Sequence, residues 1–181
     1  MPPAPPTAMV LDQARWRAAG RRLRPADRYD PPVSSIASLH VVQTSDLPAI
    51  ISAAGSGRTW EAVHRFGAEL DEEYGWSGYV MLNVLESLDT LNILLESPGL
   101  HEASAALNKD HGYTTLITSD AKAYLDRLDP AAHEPGDLLD GSIELELDDE
   151  EARYAMEETL SLLRDAIARL SDDEVLLLRI G

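Results

Sequence analysis

Within residues 149–170 the apolar positions are Ala152, Ala155, Met156, Leu160, Leu163, Ala166, Ile167 and Leu170. They recur every three or four residues, which puts them on one stripe of a 3.6-residue helix. Arg153, Glu157, Glu158, Arg164, Asp165 and Arg169 fall mostly on the other side. Asp148 stands where an N-cap accepts from first-turn amides, and Glu151, three residues on, can reach back to complete a capping box. Ser171-Asp172-Asp173 breaks the pattern. Val175-Leu176-Leu177-Leu178-Arg179-Ile180 then reads as a strand apolar enough to be covered on both faces. The pattern predicts a long amphipathic helix that turns back into a buried strand.

Upstream the signals are shorter. Leu39-His40-Val41-Val42-Gln43 reads as a strand. Thr44 or Ser45 can cap the next helix, with Asp46 in its first turn and Pro48 tolerated there. Leu47, Ile50, Ile51 and Ala54 form its apolar face, and Gly55-Ser56-Gly57 stops it. A helix over residues 59–70 would place Trp60, Val63, His64, Gly67 and Leu70 on one side. Residues 76–88 leave little polar face, which predicts a helix buried on most sides and capped by Ser77. Residues 91–95 fit either a strand or a helix. Pro98-Gly99 opens a helix reaching Lys109, and Gly112 closes it. Tyr113-Thr-Thr-Leu-Ile-Thr118 is β-branched and reads as a strand. Ser119 would cap a helix ending at Leu128, before Asp129-Pro130. Residues 131–141 read as a loop. Ile143, Leu145 and Leu147 alternate with Glu144 and Glu146, as in a half-exposed strand.

The expected architecture is a single mixed α+β domain over residues 38–181, with several helices packed on a small sheet. Residues 1–37 read as a Pro/Arg-rich flexible arm. It holds Pro2-Pro3, Pro5-Pro6 and Pro31-Pro32, and Arg15, Arg17, Arg21, Arg22 and Arg24 flank Trp16.

Charge changes the picture. The chain has 181 residues and a net charge of −17. Residues 1–40 carry six Arg and three Asp, and the remaining 141 carry nine basic and twenty-nine acidic groups, a net −20. Such a body repels nucleic-acid backbones and anionic membranes, so neither is an expected partner. It attracts a basic protein and speeds that encounter. No stretch is apolar enough to span a bilayer, and the start has no basic-then-apolar leader, so a cytoplasmic location is expected. Cysteine is absent, which excludes disulfides and thiolate chemistry. Thirteen of the fifteen basic residues are Arg, a usage that fits a GC-rich bacterial genome.

Three segments carry a family resemblance. Trp60-Glu-Ala-Val-His64 resembles the Trp-x-x-Leu-His motif of the YfbM-like family of bacterial proteins of unknown function. Leu116-Ile-Thr-Ser-Asp-Ala-Lys-Ala-Tyr-Leu125 resembles that family's strand-then-helix segment, and residues 149–181 its closing helix and strand. The chain departs from the pattern at residues 74–95 and in its N-terminal arm. The resemblance implies a mixed α/β fold and no particular activity.

Candidate chemistry is sparse. Glu61 and His64 form one Glu-x-x-His, half of a bundle di-metal site, and no second copy exists. His64 therefore reads as a core-edge histidine bonded to a carbonyl, or as part of a pocket with Trp60. His40, His101, His111 and His133 lack metal spacing, so no metal site is expected. No nucleophile elbow and no phosphate loop are present, so no catalytic residue and no cofactor is expected. Tyr74, Trp76 and Tyr79 form the densest aromatic cluster, preceded by Asp71-Glu72-Glu73. Asp71, Glu72, Glu73, Tyr74 and Trp76 suit an acidic-aromatic patch for a basic partner. The sequence thus points to an acidic protein-binding module, an immunity- or antitoxin-like inhibitor of a basic protein being one form. The alternative is a small-molecule-binding or enzymatic domain with a pocket around Trp60, His64 and Trp76. A third reading is self-association through the arm.

Overall fold

A computed structural model describes residues 35–70, 74–109, 112–139, 145 and 147–181. In chain order the elements are β1 (Ala37–Gln43), α1 (Leu47–Ala53), α2 (Thr59–Phe66), β2 (Gly67–Glu69), α3 (Gly78–Thr90) and a 3-10 turn at Pro98–Leu100. There follow α4 (His101–Leu107), β3 (Tyr113–Thr118), a 3-10 run at Ser119–Leu128, a 3-10 turn at Pro130–Ala132, α5 (Pro135–Leu138), α6 (Asp149–Arg169) and β4 (Glu174–Ile180). The fold is α+β.

The first and last strands pair antiparallel over all seven residues, from Ala37 opposite Ile180 to Gln43 opposite Glu174. Ile36 and Gly181 lengthen the ladder by exchanging two backbone bonds of 3.1 Å. β2 adds to the outer edge of β1 and β3 to that of β4, giving the order β2-β1-β4-β3, antiparallel throughout. Alternation then sorts the side chains. Leu39, Leu176, Leu178, Ile180 and Ile117 join α3, α5, α6 and the Ser119–Leu128 run in the larger core. Val42, Val175, Leu177 and Leu116 face the other way, onto Leu47 and Ile50 of α1, Val63 of α2 and Leu107 of α4. The sheet is covered on both faces, which is why β4 is a nearly continuous apolar run.

The long helix forms as its pattern predicts. Asp148 Oδ1 accepts from the amides of Glu150 (2.9 Å) and Glu151 (2.8 Å), and Glu151 Oε2 accepts from the Asp148 amide (3.1 Å). Ala152, Ala155, Met156, Leu160, Leu163, Ala166 and Ile167 are all buried. Ser77 caps α3 by accepting from the Tyr79 amide.

Several expectations are corrected. The second helix stops at Phe66, and residues 67–69 turn extended to pair with the open edge of β1, a tertiary gain that local pattern does not show. α1 has Asp46 at its N-cap position with no side-chain cap bond. Thr44 instead donates through both its amide (2.8 Å) and hydroxyl (2.9 Å) to the Asp173 carbonyl, tying the end of β1 to the turn before β4. Ser119 does not cap, because its hydroxyl donates to Asp172, and the segment it opens winds as a 3-10 rather than an α-helix. Residues 91–95 are neither strand nor helix: Asn92 adopts φ 58° in a turn, and the irregular segment beyond buries Ile93 and Leu95. The helix expected from Pro98 to Lys109 is a 3-10 turn followed by α4. Residues 131–141 include α5 rather than loop alone. α3 keeps an exposed face at Tyr79 and Glu86.

Of the strand expected around residues 143–147, Ile143, Glu144 and Glu146 lie outside the described residues, while Leu145 and Leu147 pack against the larger core. Residues 35–37, assigned by sequence to the arm, belong to the folded unit. Residues 1–34 lie outside the described residues. No helix among the described residues is long and apolar enough to cross a membrane.

Leu160 is fully buried at the centre of α6. Leu160→Ala is expected to cost about 2–5 kcal/mol, a cavity-forming change, and Asp148→Ala about 1 kcal/mol, a lost cap. Urea midpoints of the two variants read the difference directly.

Candidate functional site

The face of the sheet toward α2 changes character along its length. At one end lie Val42, Val175, Leu177 and Leu116. At the other the register places Ser38 opposite Arg179, Arg179 opposite Thr114, and His40 opposite Glu69. His40 is fully buried at 0% exposure, yet neither ring nitrogen has a hydrogen-bond partner among the described residues. The Ser38 hydroxyl is in the same position. A buried polar group without a partner costs about 1–3 kcal/mol, so such groups call for an explanation.

α2 stands over this polar end. Val63 points into the smaller core, while Trp60 and His64, one turn apart, meet His40. The His40 ring lies edge-on to Trp60 at 5.8 Å and to His64 at 5.3 Å between centroids. Trp60 and His64 are 3.9 Å apart. The Arg179 guanidinium sits 4.9 Å from the centre of the Trp60 ring, a cation-π contact. Ligand atoms of His40, His64 and Glu69 all lie within 4.8 Å of one another. His64 is exposed, so the core-edge reading of this residue does not hold. Burial lowers the His40 pKa. Glu69 opposes that shift, and His64 and Arg179 add to it.

This approach depends on the absence of a side chain at Gly67. A Cβ there would come within 2.9 Å of the Val63 carbonyl oxygen and 3.2 Å of His40 Cβ. The Gly67 amide donates to the Val63 carbonyl as α2 ends, so β2 begins directly against the helix that it follows.

The second group of candidate residues stands elsewhere. Tyr74 and Trp76 pack against the larger core, on the opposite face of the sheet from Trp60 and His64. The Tyr74 hydroxyl shares a 2.8 Å hydrogen bond with Thr159, and Trp76 Nε1 donates to Glu158 Oε2 at 2.8 Å. Both anchors belong to α6. One pocket around Trp60, His64 and Trp76 is thus not formed, because the sheet lies between them. Asp71, Glu72 and Glu73 lie outside the described residues. The exposed side of α6 carries Asp149, Glu150, Glu151, Glu157, Glu158 and Asp165 against Arg153 and Arg169. Tyr154, 55% exposed, stands among them. An open groove of about 450 Å³ is lined there by Asp149, Glu150, Arg153, Tyr154 and Glu157 among the described residues.

Sequence reasoning found Trp60 and His64 and missed His40, Glu69 and Arg179. Their nearness is set by strand register, and no local spacing encodes that. The one available signal was His40 itself, a polar residue inside an apolar strand. No protein-family model, curated protein or solved structure matches this chain.

Gly67→Ala is expected to cost roughly 1–3 kcal/mol, as overpacking does, and to push α2 off His40. Chemical denaturation measures the first effect and Trp fluorescence the second. Tyr74 supplies a pH test. Burial raises its phenol well above the ordinary value, Glu158 adds to the rise, and the Thr159 bond opposes it. The unfolded phenol ionises near about 10 and the folded one does not. Its contribution to stability is therefore whole below that pH and is lost as pH climbs beyond it. In Tyr74→Phe the fall of the urea midpoint above about pH 10 should be shallower than in the parent chain.

Proposed function

We propose that the folded unit is an acidic protein-binding module that acts in the cytoplasm and docks a basic protein on the outward face of α6. An immunity- or antitoxin-like inhibitor is its most concrete form. The observation that carries this reading is the exposed α6 face, where carboxylates outnumber guanidinium groups around the aromatic ring of Tyr154. The net −20 over residues 41–181 supports it by steering a cationic partner from a distance. Trp76, bonded to Glu158, adds a second aromatic beside the carboxylates. Aromatic anchors ringed by charge are what an interface uses for affinity and for orientation respectively.

The motif Trp60-Glu-Ala-Val-His64 underlies the proposed kinship with the YfbM-like family. It is also the segment that builds the His40 cluster, and this favours a second, ligand-binding role for the α2 side of the sheet over a role for the Trp60–Trp76 grouping.

Capture of the tagged protein from its host's lysate should retain one stoichiometric basic protein. Titrated with the purified components, the complex should weaken about tenfold or more in Glu157→Lys, Glu158→Lys and lose affinity as salt rises. The same charge change on the other side of the sheet, Glu61→Lys with Glu102→Lys, should leave most of it. Equal losses from both pairs would mean that net charge rather than this face does the binding. Retention of no partner at low salt would overturn the reading.

A further inference from the structure

We propose that His40, His64 and Glu69 form a binding site for one divalent transition-metal ion, of which Zn²⁺ is the reference case. The three residues come from β1, α2 and β2 and are brought together by the His40–Glu69 register and by the seating of α2 against Gly67. Two imidazoles and one carboxylate, with a water in the fourth position, are a donor set that zinc and its neighbours take up tetrahedrally. Imidazole nitrogen disfavours the hard cations Mg²⁺ and Ca²⁺.

The independent sign of a ligand is His40. It is a wholly buried imidazole within reach of the other two residues, with no hydrogen-bond partner for either nitrogen among the described residues. A metal ion would take up one of these nitrogens as a ligand. Glu69 argues against an anion as the occupant, since a carboxylate already faces the cluster. The distances also fit. Ligand atoms bonded to one ion at about 2.0–2.2 Å stand roughly 3.3 Å apart. The present spread, within 4.8 Å, has to narrow on binding, and the exposed His64 and Glu69 side chains rather than the buried His40 are the ones placed to move. Trp60 forms an apolar wall beside both imidazoles, limiting their orientations and holding the Arg179 guanidinium on its ring.

The test uses the full chain, untagged and stripped with a chelator. Zn²⁺ is titrated by calorimetry, and Co²⁺ by visible absorption, which reports tetrahedral nitrogen and oxygen coordination. One ion per chain is expected, with a tetrahedral cobalt spectrum. His64→Ala and Glu69→Gln alter exposed positions, so their folding should survive, which thermal melting checks. Each should weaken binding at least tenfold and abolish the cobalt spectrum, while His101→Ala and His133→Ala leave both unchanged. No saturable binding, or binding that His64→Ala and Glu69→Gln leave intact, would overturn the assignment. The outcome does not depend on whether the α6 face binds a protein.

Discussion

The pairing of β1 with β4 is the constraint on which the rest of the structure depends. It joins segments more than 130 residues apart in an unbroken antiparallel ladder from Ala37–Ile180 to Gln43–Glu174. Both strands are central, and each supplies side chains to both cores. Neither helical layer has a surface to pack on until they meet. The closure entropy of so long a loop grows only slowly with length, but it must be met before any contact across the sheet contributes. The ends of the ladder are secured locally. Thr44 bonds Asp173 at one end, and Gly112, at φ 79°, lets β3 enter beside Ile180 at the other, where a Cβ would lie 2.6 Å from the Ile180 carbonyl oxygen.

From that ladder follows the division of the α2-facing surface into two environments. Residues 42, 175, 177 and 116 make a small dry core with α1, α2 and α4. Two to four residues along the same strands, the side chains become His40, Ser38, Arg179 and Thr114. α2 straddles the boundary, with Val63 on the apolar side and Trp60 and His64 on the polar side. A packing role alone would be served better by an apolar residue at position 40, since burying an imidazole without partners is unfavourable. The sequence retains the histidine where the fold leaves it wholly enclosed.

What could be read from the sequence divides along the same line. α6, its capping box, β4 and β3 are legible because helix periodicity, cap chemistry and β-branching are local signals. β2 is not. Gly67-Ala68-Glu69 has no strand pattern and is extended only because β1 offers it an unpaired edge. The segment Ser119–Leu128 has helical periodicity, but Ser119 is drawn to Asp172, and the segment winds more tightly than its pattern implies. The candidate site shows the same limit. Trp60 and His64 share a helix face and could be paired by counting. His40, Glu69 and Arg179 enter only through strand pairing, which sets Glu69 opposite His40 and Arg179 opposite Ser38, 141 positions on, and no spacing rule reaches that far.

The two proposed activities draw on one electrostatic field in different ways. A body of net −20 raises the local concentration of any cation, whether a basic protein or a metal ion, so the field by itself distinguishes neither. Discrimination has to come from short-range chemistry. At the α6 face it lies in Tyr154 and in Trp76, which is bonded to Glu158 of that helix; their rings give a protein surface something to pack against. Over β1 it lies in two imidazole nitrogens, whose lone pairs bind a borderline transition metal far more strongly than they accept a hydrogen bond from a guanidinium or ammonium group. Arg179 sharpens the second case. A fixed guanidinium beside the cluster repels other cations, so an ion that binds there must gain more from His40, His64 and Glu69 than it loses to Arg179. Ligand bonds of transition-metal strength meet that condition, and loose counterion attraction does not.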